Sequence, residues 1–180
     1  FLDFVYTNTF STLAPGRVRY GLMLREDGQV MDDGTTACLA PNHYLMTTTT
    51  AAAGQVMRHL DFAQQAFCAD WKLRTISVTE HWAQFAVAGP LARELLNSFL
   101  DAPVDDAAFP FLSCGTVRVG GVEARLFRIS FSGELGYEIW IPAENALPVW
   151  DAIMEAGDDF GITPCGILAM DMARVEAGLF

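Results

Sequence analysis

Two glycine turns constrain the fold more than anything else in this chain. Asp27-Gly28 follows an alternating run, Arg17 to Arg25, and Gly120-Gly121 sits between two β-branched runs. A turn this tight sends the chain straight back beside itself. A parallel pair instead needs a crossover of a dozen residues or more. The sheets are therefore expected to be antiparallel, and the fold α+β: two packed units of antiparallel sheet, back to back, with flanking helices. No GxGxxG follows a strand and no phosphate-cradling loop is visible, which argues against a nucleotide-binding α/β sheet.

The remaining elements follow from period and punctuation. Val18, Tyr20, Leu22 and Leu24 alternate with Arg19, Gly21 and Met23, which predicts a strand with its apolar side on the even positions. The return strand is expected over Gln29–Cys38. A third strand, His43–Thr50, follows the Pro41-Asn42 turn, and from Ala51 the pattern becomes that of an amphipathic helix with Thr50 as its N-cap. Further strands are predicted at Leu73–Glu80, Trp82–Ala88, Gly115–Val119, Val122–Phe131 and Gly136–Pro142. Helices are predicted through Ala92–Phe99, Pro148–Ala156 and Ile167–Ala177. The order recurs in outline, and Asp101-Ala102-Pro103 breaks a helix between the two halves. This places one unit at 1–102 and another at 103–180, with a candidate site between them.

Charge narrows the partners. Eleven Lys and Arg against 22 Asp and Glu give a net charge of −11. That balance lacks the clustered positive charge that displaces counterions from nucleic acid or binds an anionic membrane. No run approaches the roughly 18 apolar residues of a membrane span. Phe1 opens directly into an apolar segment, which reads as a piece of a longer polypeptide. Cys38, Cys68, Cys114 and Cys165 are widely spaced, with no paired cysteines and no HxxxH, so buried thiols in a reducing cytoplasm are expected in place of zinc or disulfides.

Three features could carry chemistry. Asp32-Asp33 is an acid pair on a strand, so only one of the two can face a pocket; solvated carboxylates at a hairpin edge are the bland reading. Thr47–Thr50 is either an edge strand with a helix cap or a ligand-contacting strand. Glu138 lies among Tyr137, Ile139 and Trp140, and a carboxylate there needs partners if it is buried. A guanidinium would satisfy it. So would a ring presenting an N–H and an amino group side by side.

Gly16-Arg17-Val18-Arg19-Tyr20-Gly21-Leu22-Met23-Leu24, running into Gly28-Gln29-Val30-Met31-Asp32-Asp33, resembles the folate-binding module of the glycine cleavage T-protein (aminomethyltransferase) superfamily. The resemblance continues at Asn42-His43-Tyr44, Val87-Ala88-Gly89-Pro90, Phe131 to Glu138 and Arg174-Val175-Glu176-Ala177-Gly178, and so covers nearly the whole chain. Within the superfamily, Met46 to Thr50 and Ile76 to Gln84 look most like the alpha subunits of heterotetrameric sarcosine oxidases.

The resemblance implies tetrahydrofolate as cofactor and a one-carbon transfer in which folate N5 attacks a sarcosine-derived imine, giving 5,10-methylenetetrahydrofolate. It places the family's essential carboxylate, catalytic and cofactor-binding, on Asp32. Its folate-contacting tyrosine falls on Tyr20, its pterin clamp on Glu138, and the strand along the pterin on Thr47 and Thr48. It implies FAD or FMN and NAD only in parts outside this chain, and other sarcosine oxidase subunits as partners. No nucleic acid or membrane enters the picture. Met170 and Phe131 depart from the T-protein pattern, which has arginine and tyrosine there, and both changes remove polar contacts to folate. An aminomethyltransferase acting on a lipoyl carrier protein and a non-catalytic folate-binding module are the alternatives.

Overall fold

The computed structural model describes residues 1–179. It is an α+β protein with two antiparallel sheets and flanking helices, as the turns require. The chain forms two compact units, Phe1–Val78 and Thr79–Phe180.

In the first unit, β1 (Val18–Leu24), β2 (Val30–Ala40) and β3 (His43–Met46) form a meander, preceded by the single-turn α1 (Leu2–Val5) and followed by α2 (Ala53–Phe67). Gly28 makes the first turn with φ 81°, and Asn42 makes the second with φ 60°. The core joins Val5, Tyr6, Phe10 and Met23 to Val56, Leu60 and Ala63 of α2.

Beyond Val18, which is buried, the burial of β1 reverses the expected faces. Met23 is in the core, whereas Tyr20 is 37% exposed. Gly21 explains the reversal: a Cβ built there would lie 2.8 Å from the Tyr6 ring and 2.9 Å from Phe10. The inner position of β1 packs tightly because it has no side chain, so hydrophobic alternation pointed to the wrong side.

In the second unit, β4 (Trp82–Ala88), β5 (Cys114–Val119), β6 (Val122–Phe127) and β7 (Gly136–Pro142) lie in the order β4-β7-β6-β5. Helices α3 (Ala92–Phe99) and α4 (Ala146–Gly157) cover one face, where Val87, Leu96, Leu126, Ile139, Ile141 and Ile153 form the core. The chain continues into α5 (Ile167–Glu176).

Several expectations change. The units divide after Val78, not after Ala102, because β4 pairs along its whole length with β7 some fifty residues later. The Asp-Ala-Pro break merely ends α3. Leu73–Val78 forms no strand, since no sheet edge pairs with it, and Thr79–His81 is a 3-10 turn. β3 stops at Met46, and the threonines beyond it leave the sheet. No two cysteines are bonded; Cys38 and Cys68 are buried, but Cys165 is exposed.

Candidate functional site

In the first unit the acid pair splits across the sheet. Asp32 pairs with Met23 on the core side and is 7% exposed; Asp33 pairs with Leu22 and points the other way, beside Tyr20. The Asp32 carboxylate accepts the Thr49 backbone N–H at 3.3 and 3.2 Å. Thr49 precedes the 3-10 turn Thr50–Ala52 that leads into α2, so Asp32 anchors the entry to that helix. An anion is favourable at a helix start, where backbone N–H groups lack partners.

Gly34 makes this approach possible. It lies on the same face as Asp32, and a Cβ there would sit 2.2 Å from the Thr47 carbonyl oxygen. The Thr47 hydroxyl accepts the Thr35 N–H at 2.9 Å and donates to the Thr35 carbonyl at 3.2 Å, which ties it to β2. The Thr48 hydroxyl donates to the Thr49 carbonyl at 3.2 Å, and the residue is half-buried.

On the other face, the Tyr20 hydroxyl donates to Asp33 Oδ2 at 2.7 Å. Loss of solvent, followed by the hydrogen bond and charge of Asp33, pushes the Tyr20 phenol up to about 12. The phenol therefore keeps its proton at neutral pH and donates it in a hydrogen bond to Asp33. Tyr20 and Asp32, grouped by the sequence reading, are not brought together; Tyr20 and Asp33 are.

In the second unit, Glu138 lies on the sheet face opposite the core, because its neighbours Tyr137 and Ile139 point inward. Trp140 shares its face two residues on, and its indole Nε1–H donates to Glu138 Oε2 at 3.1 Å. Phe127 and Trp82 pack their rings against Trp140, at centroid distances of 5.3 and 6.5 Å. The Arg125 guanidinium stacks over Trp82 at 5.6 Å. Burial raises the pKa of the Glu138 carboxyl, while hydrogen bonds from Trp140 and Gln84 pull it back. The result is a half-buried carboxylate on a sheet face rich in aromatic rings. No Arg or Lys ion-pairs with it within 4 Å among the described residues.

Glu134 lies elsewhere, beside a cavity of about 280 Å³ lined by Phe111, Arg128, Ser130 and Leu135. Arg128 is already occupied there: it pairs with Asp106 and donates to the Phe109 carbonyl at 2.8 Å. Among the described residues no cluster of His, Cys, Asp or Glu could hold a metal ion, and no helix is long and apolar enough to cross a membrane.

The sequence reading missed Gln84 and the orienting role open to Trp140. The spacing of Glu138 and Trp140 on one strand was a usable signal. Gln84 needed the β4–β7 register, which pairs it with Trp140.

Comparison with known proteins matches residues 1–180 to the GCVT N-terminal domain family. The chain is 49% identical over 180 residues to sarcosine oxidase subunit alpha of Rhizobium meliloti (strain 1021), covering 99% of this chain and 18% of that protein. It is 34% identical to an aminomethyltransferase of Geobacillus sp. (strain WCH70), covering 99% of this chain and 48% of that protein. The chain thus spans less than half the length of these relatives. The crystal structure of glycine cleavage system aminomethyltransferase T from Bartonella henselae superposes with a TM-score of 0.82 at 21% identity, over 99% of this chain and 45% of that one, and shares the fold.

Proposed function

Because the chain belongs to the GCVT N-terminal domain family, we propose that it binds tetrahydrofolate and accepts a one-carbon unit as part of a sarcosine oxidase alpha subunit. The higher identity to that subunit than to the aminomethyltransferase supports this reading over the glycine-cleavage reaction. Other subunits of such an oxidase are the expected partners, and its flavin and dinucleotide chemistry belongs to them or to other parts of the polypeptide.

The observation that carries the proposal is Glu138. A half-buried carboxylate beside aromatic rings, held by the neutral Trp140 N–H and without an ion-pair partner among the described residues, fits a ring edge that offers an N–H and an amino group together. Bound tetrahydrofolate would supply the amine nitrogens that take up the carbon unit. Glu138 would fix the pterin edge, and the neighbouring rings would offer it an apolar, polarisable surface.

For the acid pair, the geometry supports a division of labour. Asp33 is the carboxylate presented with Tyr20 on the more open face, so it is assigned to steady positive charge developing on the reacting amines. Tyr20 holds it through its protonated hydroxyl. Asp32, which the sequence reading favoured for this role, anchors the start of α2 through Thr49. Thr47 and Thr48 are assigned to shaping the chain beyond β3.

Replacing Glu138 by Gln in the full-length protein tests the clamp, since it turns one acceptor into a donor facing the ligand's donors. A lost hydrogen bond to a charged group is worth roughly 1.5–3 kcal/mol, so tetrahydrofolate affinity measured by calorimetry should fall about tenfold or more. Unchanged affinity would overturn the clamp.

A further inference from the structure

Trp140 touches Glu138 through a group that its aromatic role does not need. A buried indole N–H needs an acceptor, and the acceptor it takes is what matters here. Here the N–H is spent on Glu138 Oε2 at 3.1 Å. The ring itself is locked between Phe127 and Trp82, so the donor cannot swing away. Gln84, opposite Trp140 on β4, puts a second neutral amide on the same sheet face, near enough to favour the ionised carboxylate.

We infer that Trp140, assisted by Gln84, is a positioning residue that fixes the orientation of the Glu138 carboxylate. The inference rests on the reading of Glu138 as the pterin clamp. A carboxylate offers about four acceptor positions on its two oxygens. The Trp140 donor occupies one acceptor position on Oε2 and fixes that oxygen, leaving the remaining lone pairs to meet a ligand edge as a pair. Neutral donors suit the task better than a guanidinium. They stabilise the anion against the burial that favours its protonated form, yet do not compete with the ligand as a bidentate cation would. The cations of this unit leave Glu138 to its neutral donor. Arg125 shares the sheet face but lies over Trp82, and neither Arg93 nor Arg128 pairs with Glu138, both being engaged by Asp106.

Trp140→Phe keeps an aromatic ring and removes the donor; Gln84→Ala removes the exposed second donor without touching the core. Two measurements on the full-length protein test them. In tetrahydrofolate titrations across pH, Trp140→Phe should weaken binding about two- to tenfold at neutral pH. Affinity should also start to fall at a higher pH than in the parent, because the carboxylate takes up its proton earlier. Gln84→Ala should shift the profile in the same direction by less. In carbon-13 NMR of the labelled glutamates, the Glu138 titration midpoint should rise in both variants. A Trp140→Phe protein with parental affinity and an unmoved midpoint would overturn the inference. If Glu138→Gln bound folate like the parent, the clamp would fail while the NMR midpoint in Trp140→Phe still decided the positioning role.

Discussion

The two sheets solve the same problem differently. Each carries a carboxylate that is partly withdrawn from water on a strand flanked by apolar residues. In the first unit Asp32 is held by backbone, the Thr49 N–H, at a place where the chain passes close over Gly34. In the second unit Glu138 is held by a side chain, the Trp140 indole N–H, with the Gln84 amide on the same face. A carboxylate held by backbone is tied into the path of the chain, and losing it costs structure. A carboxylate held by side chains can be retuned or removed with the fold intact. On the proposed reading that contrast gives Asp32 an architectural role and Glu138 a ligand-binding one, and it can be broken by mutation.

The largest effect should come from Gly34. With the Thr47 carbonyl oxygen 2.2 Å from where a Cβ would stand, Gly34→Ala must push the Thr47–Thr49 segment off the sheet. That would also pull Thr49 from Asp32. Overpacking against backbone of this kind costs about 1–3 kcal/mol or more, and urea unfolding of the parent and variant would measure it. A variant with parental stability would mean that the crossing is not tight, and Asp32 would lose its architectural role.

The next effect separates the acid pair. Asp32→Asn keeps the shape but replaces a charged acceptor at a helix entry, so it should destabilise the protein by about 1–2 kcal/mol. Asp33→Asn, on the more open face, should change stability little. Its loss should instead slow the formation of methylenetetrahydrofolate in the intact enzyme by about a hundredfold, with sarcosine consumption unaffected. The reverse pattern, a stable Asp32→Asn protein that cannot transfer the carbon, would restore the assignment read from sequence.

The parts of this molecule legible in sequence are those written in local signals. The limits of β4 and β7 were read to the residue, because Gly-Pro and Pro punctuate their ends and each run between is apolar but for one polar residue, Gln84 or Glu138. The glycine turns gave the antiparallel class. What was misread depended on partners distant in sequence. Tyr20 looked inward because alternation cannot register that Gly21, with no side chain, is the position pressed against Tyr6 and Phe10. Leu73–Glu80 looked like a strand by composition, but a strand needs an edge to pair with. The unit boundary was set at a helix break because the β4–β7 pairing leaves no local mark. The candidate site shares that character. Motif residues such as Glu138 and the acid pair stand out in sequence, whereas which acid shares a face with Tyr20 is decided by register.

The smallest predicted effect tests the other half of the contrast, and its sign is opposite to that at Asp32. Burial raises the pKa of Glu138 in the folded protein above its ordinary value of 4.5, and the bonds from Trp140 and Gln84 only partly offset this. As pH rises from the acid side, the unfolded chain therefore releases this proton first. Folding stability falls across the interval between the unfolded and folded pKa values and stays lower above it. Glu138→Gln can still accept the Trp140 N–H through its amide oxygen but has no charge to bury. The variant should consequently be slightly more stable than the parent at neutral pH, by no more than about 1 kcal/mol. The advantage should close as the pH drops below the ordinary glutamate range. Urea unfolding of both proteins at pH 7 and near pH 4 would show this convergence. A parent more stable than the variant at pH 7 would mean that the Glu138 charge is structural after all, and the distinction between the two carboxylates would collapse. Greater stability at pH 7 combined with weaker folate binding would show a charge kept for its ligand at the expense of the fold.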